Sequence, residues 1–321
     1  MKQLLEKTYD IVALGELLID FSHVKNNDIH YPVLSALPGG APSNLLAVNS
    51  SYGMKTALIS KVGDDTFGHL LIDTLLKLKI DAQYVQVAPD AFTTLAFVTL
   101  DEEGDRSFSF ARKPGADTQI QLSDQDRELL KDCKIFHFGS LSMTDEPSKS
   151  STLQAVQEAK KAGAWINFDP NLREKLWKNL DDARESFIWG IAQSDSIKIS
   201  LEEAAFIYGN KWEEIEQGLA GNPNLKLTVI TRGKEGCTVI TPSFEFSLDG
   251  FSVNTVDTTG AGDIFTGALL FRLLQKGMEF DETYLKESAR FATACAALST
   301  EKRGGISSIP ELDRVLKFLE K

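Results

Sequence analysis

Positive charge is scarce in this chain. The 34 Lys and Arg residues face 46 Asp and Glu, for a net charge of -12. That balance argues against a surface built for nucleic acid or for anionic membrane, and any phosphate-handling site must gather its cations locally. Cysteine is nearly absent. Cys133, Cys237 and Cys295 are odd in number and far apart, so neither a disulfide framework nor a zinc spacing is expected, and buried reduced thiols fit a cytoplasmic protein. His23, His30, His69 and His137 show no metal-ligand spacing. The opening stretch MKQLLEKTYDIVALGELLIDF is broken by Asp10 and Glu16, which excludes it as a signal peptide or a membrane span.

Two phosphate-binding fingerprints are also missing. Gly233-Lys234 is followed by Glu235 and no Gly-x-x-x-x-Gly-Lys-Ser/Thr run occurs, so a P-loop is excluded. Gly260-Ala-Gly262 is followed three positions on by Phe265, and the first strand carries only Gly15 before Glu16-Leu17-Leu18. Both features argue against a nicotinamide dehydrogenase.

What the chain has is alternation. Its 321 residues, 42% hydrophobic, suffice for a sizeable core. Short apolar runs predict strands at Asp10–Gly15, Lys55–Val62, Ile135–Phe138, Ala164–Phe168, Ser196–Ser200, Leu227–Thr231 and Thr238–Thr241. Helical patterns fall between several of them, at Asn44–Tyr52, Gly68–Leu78, Ser150–Ala162, Leu201–Tyr208 and Asp263–Lys276. This order predicts an α/β fold with a mainly parallel central sheet and helices on both faces. Leu17–Pro38 and Phe92–Arg112 show period-two stretches instead, with a hairpin turn at Asp101-Glu-Glu-Gly-Asp105. Too small to hold a core, they read as a β-lid folded into one domain.

Three local patterns bear on chemistry. In Val256-Asp-Thr-Thr-Gly-Ala-Gly-Asp-Ile-Phe-Thr-Gly-Ala268, a helix opens at small residues whose free N–H groups can receive an anion. Asp263 there is open to two readings, a helix cap or a base that takes a proton from an attacking hydroxyl. Gly39-Gly40-Ala-Pro-Ser-Asn44 is either a tight turn with an Asn cap or a close backbone approach to a ligand, with Asn44 offering donor and acceptor to sugar hydroxyls. Lys61-Val-Gly-Asp-Asp65 turns a strand end into the next helix.

Together these motifs resemble those of the ribokinase-like (PfkB) carbohydrate kinases. Members pair Gly-Gly-x-x-x-Asn with Asp-Thr-x-Gly-Ala-Gly-Asp, here Gly39-Gly40…Asn44 and Asp257-Thr258-Thr259-Gly260-Ala261-Gly262-Asp263, and the likeness runs from Asp10 to about Pro310. The resemblance implies a ribokinase-like three-layer sandwich with a small β-lid, one domain over residues 1–321. It implies Asp263 as the base that deprotonates a primary sugar hydroxyl. Gly260, Ala261 and Gly262 would form the anion hole.

For the nucleotide it implies Thr231, Gly233 and Gly236 of the Thr231-Arg-Gly-Lys-Glu-Gly236 loop, with Thr293 beside the adenine. The family's Asn-x-x-Glu is here Ser200-Leu-Glu202-Glu203, preceded by Lys198. Glu203 is then the magnesium-side carboxylate, unless it is a solvated helix charge; Ser at this place is frequent in fructokinases like those of plants.

For the sugar the resemblance implies Asp20, with Arg106 and Phe108 reaching in from the hairpin. Asp169, Asn171 and Arg173 lie in Phe168-Asp-Pro-Asn-Leu-Arg-Glu-Lys-Leu-Trp177, a segment similar to the fructokinase pattern. Arg173 offers a planar cation suited to phosphate. Ser299–Pro310 (STEKRGGISSIP) resembles the potassium loop of many relatives, with Asp257, Thr259, Ser299, Lys302, Gly304 and Ser308 around the ion.

The implied activity is phosphorylation of D-fructose at its 6-hydroxyl by ATP with Mg2+, by a cytoplasmic homodimer formed through the lid, with a small-molecule partner and neither nucleic acid nor membrane. Kinases of 2-keto-3-deoxygluconate, ribose or nucleosides remain alternatives, as does a non-catalytic regulatory relative.

Overall fold

The computed structural model describes residues 7–26, 31–100 and 106–320; for Lys25, Asn26, Thr99, Leu100 and residues 106–108 it describes the backbone alone. The turn Asp101–Asp105 lies outside the described residues.

The main sheet has nine strands. The first strand, β1 (Tyr9–Leu14), lies third from one edge, flanked on that side by β4 (Thr56–Gly63) and β5 (Val85–Ala88). On the other side follow β8 (Cys133–Gly139), β9 (Trp165–Asp169), β10 (Ser196–Ser200) and β11 (Leu227–Thr231), all parallel. Two short antiparallel strands, β12 (Cys237–Ile240) and β13 (Glu245–Leu248), close that edge. The mainly parallel sheet is as the alternation predicts.

Strand β1 is buried on both faces, which explains its unbroken apolar run. Ile11 and Ala13 enter one core with helices α1 (Ala41–Ser51), α2 (Thr66–Lys77), α8 (Ala261–Gln275), α9 (Glu282–Ser299) and α10 (Leu312–Leu319). Val12 and Leu14 enter the other with α3 (Asp124–Lys131), α4 (Ser148–Lys161), α5 (Leu180–Gln193), α6 (Leu201–Tyr208) and α7 (Trp212–Ala220). Alternate residues of one strand thus serve two helical layers.

The sequence pattern assigns one apolar face to α8, through Phe265, Leu269 and Leu273. The structure instead buries every residue from Ile264 to Phe271. The reason is that α8 is packed between α1 and α9, and a helix covered on several sides needs no polar stripe.

A second sheet of four strands uses the period-two segments: β3 (Pro32–Gly39), β2 (Leu18–Asn26), β6 (Leu95–Leu100) and β7 (Arg106–Ala111), in that order. Phe21 and Phe97 stack across it with ring centroids 5.2 Å apart. Its root is tied to the main body by Arg112, which is buried and donates to Asp117, to Thr144 Oγ1 and to the Leu141 carbonyl. The chain leaves β1, enters this sheet at Leu18, and returns from Gly39 straight into α1. Both transitions border the cavity described next.

Candidate active site

Strands β9, β10 and β11 end at Asp169, Ser200 and Thr231, on the edge of a parallel sheet where ligands of α/β folds bind. Two cavities lie there. One, of about 340 Å3, is bordered by Asp20, Gly40, Asn44, Asn171, Arg173 and Asp263. The other, of about 390 Å3, is bordered by Thr231, Gly233, Gly236, Phe251, Phe265 and Thr293. Ser200, Thr258 and Gly262 border both, so the start of α8 stands at the junction.

Gly260 precedes that helix in the left-handed conformation, φ 76°, where a side chain is strained. No side chain caps α8. Asp263 sits in the first turn, yet its Oδ2 accepts from Asn44 Nδ2 at 2.8 Å and it borders the first cavity. Burial raises its pKa to about 6; Asp169 adds to the rise, while Asn44, Lys198 and Arg173 oppose it. The group is therefore ionised at neutral pH and still basic enough to accept a proton. The Ala261 N–H turns back to the Thr258 carbonyl at 3.2 Å, and Ile264 makes the first helical bond to Gly260. The amides of Gly262 and Asp263 lie between these two, at the positive end of the helix.

Lys198 supplies the local cation that an acidic protein needs. Its Nζ lies 3.1 Å from Asp169 Oδ2, and a Cβ on Gly262 would stand 2.7 Å from that same Nζ. Burial disfavours its charge, but Asp169, Glu203 and Asp263 outweigh burial and hold its pKa above the ordinary value. Arg173 borders the first cavity and opposes the rise in pKa of both Asp20 and Asp263.

In the first cavity, burial raises Asp20 to about 7, with Arg173 opposing and Asp263 and Asp257 reinforcing. Its Oδ2 would meet a Cβ on Gly39 at 2.2 Å, so a larger residue there would push the Asp20 carboxylate aside. Asn171 adopts φ 50°, a conformation that Asn tolerates better than most side chains. Phe110 and Leu141 add apolar wall. The side chains of Arg106 and Phe108 lie outside the described residues. Glu16 also borders this cavity, and the motif reading did not select it. Its one signal is an acid directly after a buried strand.

Ser200 caps α6. Its Oγ accepts from the Glu203 amide at 3.1 Å, and Glu203 Oε2 accepts from the Ser200 amide at 2.9 Å, a reciprocal capping box. Glu203 Oε1 accepts from the Leu172 amide at 2.7 Å, which ties the Asn171–Arg173 segment to α6. Serine therefore serves as a helix cap where an amide was the family expectation. Asp257 is buried and accepts from Thr259 N and Gly304 N, both at 2.9 Å. This brings the two segments of the expected cation loop together, and within the second the Lys302 N–H donates to the Ser299 carbonyl at 3.2 Å. Ser308 follows in a one-turn helix, Ile306–Ser308. Thr293 is buried on α9, its hydroxyl on the Ala289 carbonyl.

With this geometry in place, comparison with known proteins is direct. The model of the pfkB family carbohydrate kinases matches residues 8–312. A probable fructokinase-3 of Arabidopsis thaliana is 41% identical over 97% of this chain and 91% of its own. A crystal structure of fructokinase from Xylella fastidiosa with bound ATP has a TM-score of 0.88 and 28% identity, covering 97% of this chain and 98% of that one. A fructokinase structure from Vibrio cholerae holding fructose, ADP and calcium has a TM-score of 0.85 and 31% identity, covering 97% and 99%.

Proposed function

The chain belongs to the pfkB family of carbohydrate kinases, and on that premise we propose that it is a fructokinase, transferring the γ-phosphoryl group of ATP to the 6-hydroxyl of D-fructose. The observation that carries this reading is the position of Asp263, ionisable, bonded to Asn44 and set where the two cavities meet. Relatives bind ATP in one case and fructose with ADP in another.

The chemistry follows from the residues. Fructose occupies the cavity of Asp20, Gly40, Asn44, Asn171 and Arg173, its 6-hydroxyl against Asp263. ATP occupies the second cavity, its phosphates over the Thr231–Gly236 loop and its adenine beside Thr293. As the sugar oxygen bonds to the γ-phosphorus, Asp263 takes the hydroxyl proton and the bond to the ADP oxygen breaks. Of the expected anion hole of Gly260, Ala261 and Gly262, the Ala261 N–H is turned instead to the Thr258 carbonyl; charge on the moving phosphoryl oxygens meets the Gly262 amide with that of Asp263, Lys198 and Arg173.

Magnesium fits this donor set. Among the described residues no group of three His, Cys, Asp or Glu could hold a metal, but an ion that keeps its waters and the substrate's phosphate oxygens needs only a carboxylate such as Glu203. Bound there, it would supply neutralising charge to the phosphates.

Around this chemistry the remaining readings are a single kinase domain with a β-lid, a potassium loop at Asp257, Thr259, Ser299, Lys302, Gly304 and Ser308, a homodimer through the lid and a cytoplasmic setting. The Asp257 bonds to Thr259 and Gly304 support the loop; equal rates in sodium and potassium buffers would sink it. Exposed Leu34 on the edge strand β3, Tyr31 beside it and Val24 on the adjoining β2 support the dimer, and a monomer mass in solution would contradict it. The three buried, unpaired thiols support the reducing compartment. No helix among the described residues is long and apolar enough to cross a membrane. Phosphorus NMR of the product from fructose and ATP tests the transfer, with the 6-phosphate expected and a 1-phosphate refuting the orientation.

A further inference from the structure

Helix α1 carries Asn44 to Asp263, yet it has no cap of its own. Its N-cap is Gly40, which has no side chain, and its first turn contains no acid. Ser43 could serve, but its hydroxyl turns back to the carbonyls of Gly39 and Gly40 at 3.0 and 2.8 Å. The cap comes from elsewhere. Glu16, 25 residues upstream and two residues past the end of β1, accepts from the Ala41 N–H through Oε1 at 2.7 Å.

Glu16 is 4% exposed, and a carboxylate is seldom buried without a task. Its backbone takes part as well, since a Cβ on Gly40 would stand 2.4 Å from the Glu16 carbonyl oxygen. The next link is the Asn44 amide, which donates to the Gly40 carbonyl at 2.9 Å. From Asn44 the last bond runs to the base itself. Asp117 and Arg112 stand behind Glu16 with opposite charges.

We infer that Glu16 is a positioning residue for the phosphorylation reaction: by capping α1 from the neighbouring strand end, it fixes the Gly39-Gly40 turn and Asn44 against the acceptor sugar and Asp263. The inference rests on the sugar-kinase reading. It predicts a loss confined to the sugar half of the site, because the Thr231–Gly236 loop and Thr293 depend on other elements.

Steady-state constants of Glu16→Ala and Glu16→Gln test it, measured for both substrates on one preparation of each, with the acceptor sugar that the wild type phosphorylates. Losing a cap by truncation is expected to raise the sugar KM about tenfold, while the KM for ATP stays within about twofold. Gln can accept from the Ala41 N–H through its amide oxygen, so Glu16→Gln is expected to bring the sugar KM back to within about threefold of wild type. An unchanged sugar KM in Glu16→Ala overturns the inference. So does an equal rise in both KM values, which marks general loosening, or a Glu16→Gln variant as impaired as Glu16→Ala. A wild type inactive on fructose but active on another sugar counts against the substrate assignment alone.

Discussion

Replacing Asp263 by Asn should abolish turnover and at the same time stabilise the fold. The carboxyl's pKa rises from 3.8 to about 6 on folding, chiefly through burial, with Asp169 adding to it. A raised carboxyl pKa means that the folded state favours the protonated form. The contribution to stability is whole below the unfolded value and is lost as pH rises through the folded one. At pH 8 the ionised group therefore costs about 3 kcal/mol, from roughly two units at about 1.4 kcal/mol each. Asp263 is half-buried and open to the cavity, so water there reduces the cost to about 1–2 kcal/mol. Asn is neutral at every pH and its Oδ1 can still accept from Asn44. With about 2 cal/mol/K of unfolding entropy per residue, this gain raises Tm by about 1.5–3 °C at pH 8. The advantage should shrink towards zero between pH 6 and pH 4, as the wild-type group protonates. Turnover should fall by about 10²–10⁴ or more with the loss of the base. Calorimetry at pH 8 and pH 4.5, beside a coupled ADP-release assay, reads both effects. A variant less stable at pH 8, or one within tenfold of wild-type kcat, would refute the reasoning.

Two more outcomes follow from the same geometry. The acid limb of kcat/KM for the sugar should steepen from a slope of one towards two on descending from pH 7 to below pH 6, because Asp20 at about 7 and Asp263 at about 6 must both be ionised; a single-proton limb would show that Asp20 takes no part. Gly262→Ala places a methyl 2.7 Å from Lys198 Nζ, so kcat should drop about tenfold or more with fold and sugar KM little changed, and an unaltered kcat would remove Lys198 and the Gly262 amide from the reaction.

Much of this site is legible in the sequence because its residues sit at strand ends and helix starts, where glycines and acids leave a local signature. Gly260, Gly262 and Asp263 are of that kind, as is Asp169 at the end of β9. Glu16 is legible only with the fold, since strands β2 and β3 separate it from its partner Ala41 in the sequence. The same holds for Asp117, whose bonds to Thr94 and Arg112 tie both roots of the hairpin β6–β7. Helix α5 escaped the periodicity, although Asn179 caps it on the Asp182 amide. Its apolar stripe is interrupted by Gly190, which is needed where Phe168 packs at the position of a Cβ, 2.6 Å away. The edge strands β5 and β13 span four residues each and mix buried with exposed positions, too short for a pattern to register. The Ser200–Glu203 capping box shows the opposite case, a pair legible as a helix start that turns out also to hold the Leu172 amide beside the sugar cavity.

The most direct measurement is kcat/KM with ATP for fructose beside ribose, 2-keto-3-deoxygluconate and a nucleoside, on the purified chain. Fructose should be preferred by at least an order of magnitude. No turnover of fructose, or a clear preference for one of the others, would contradict the account.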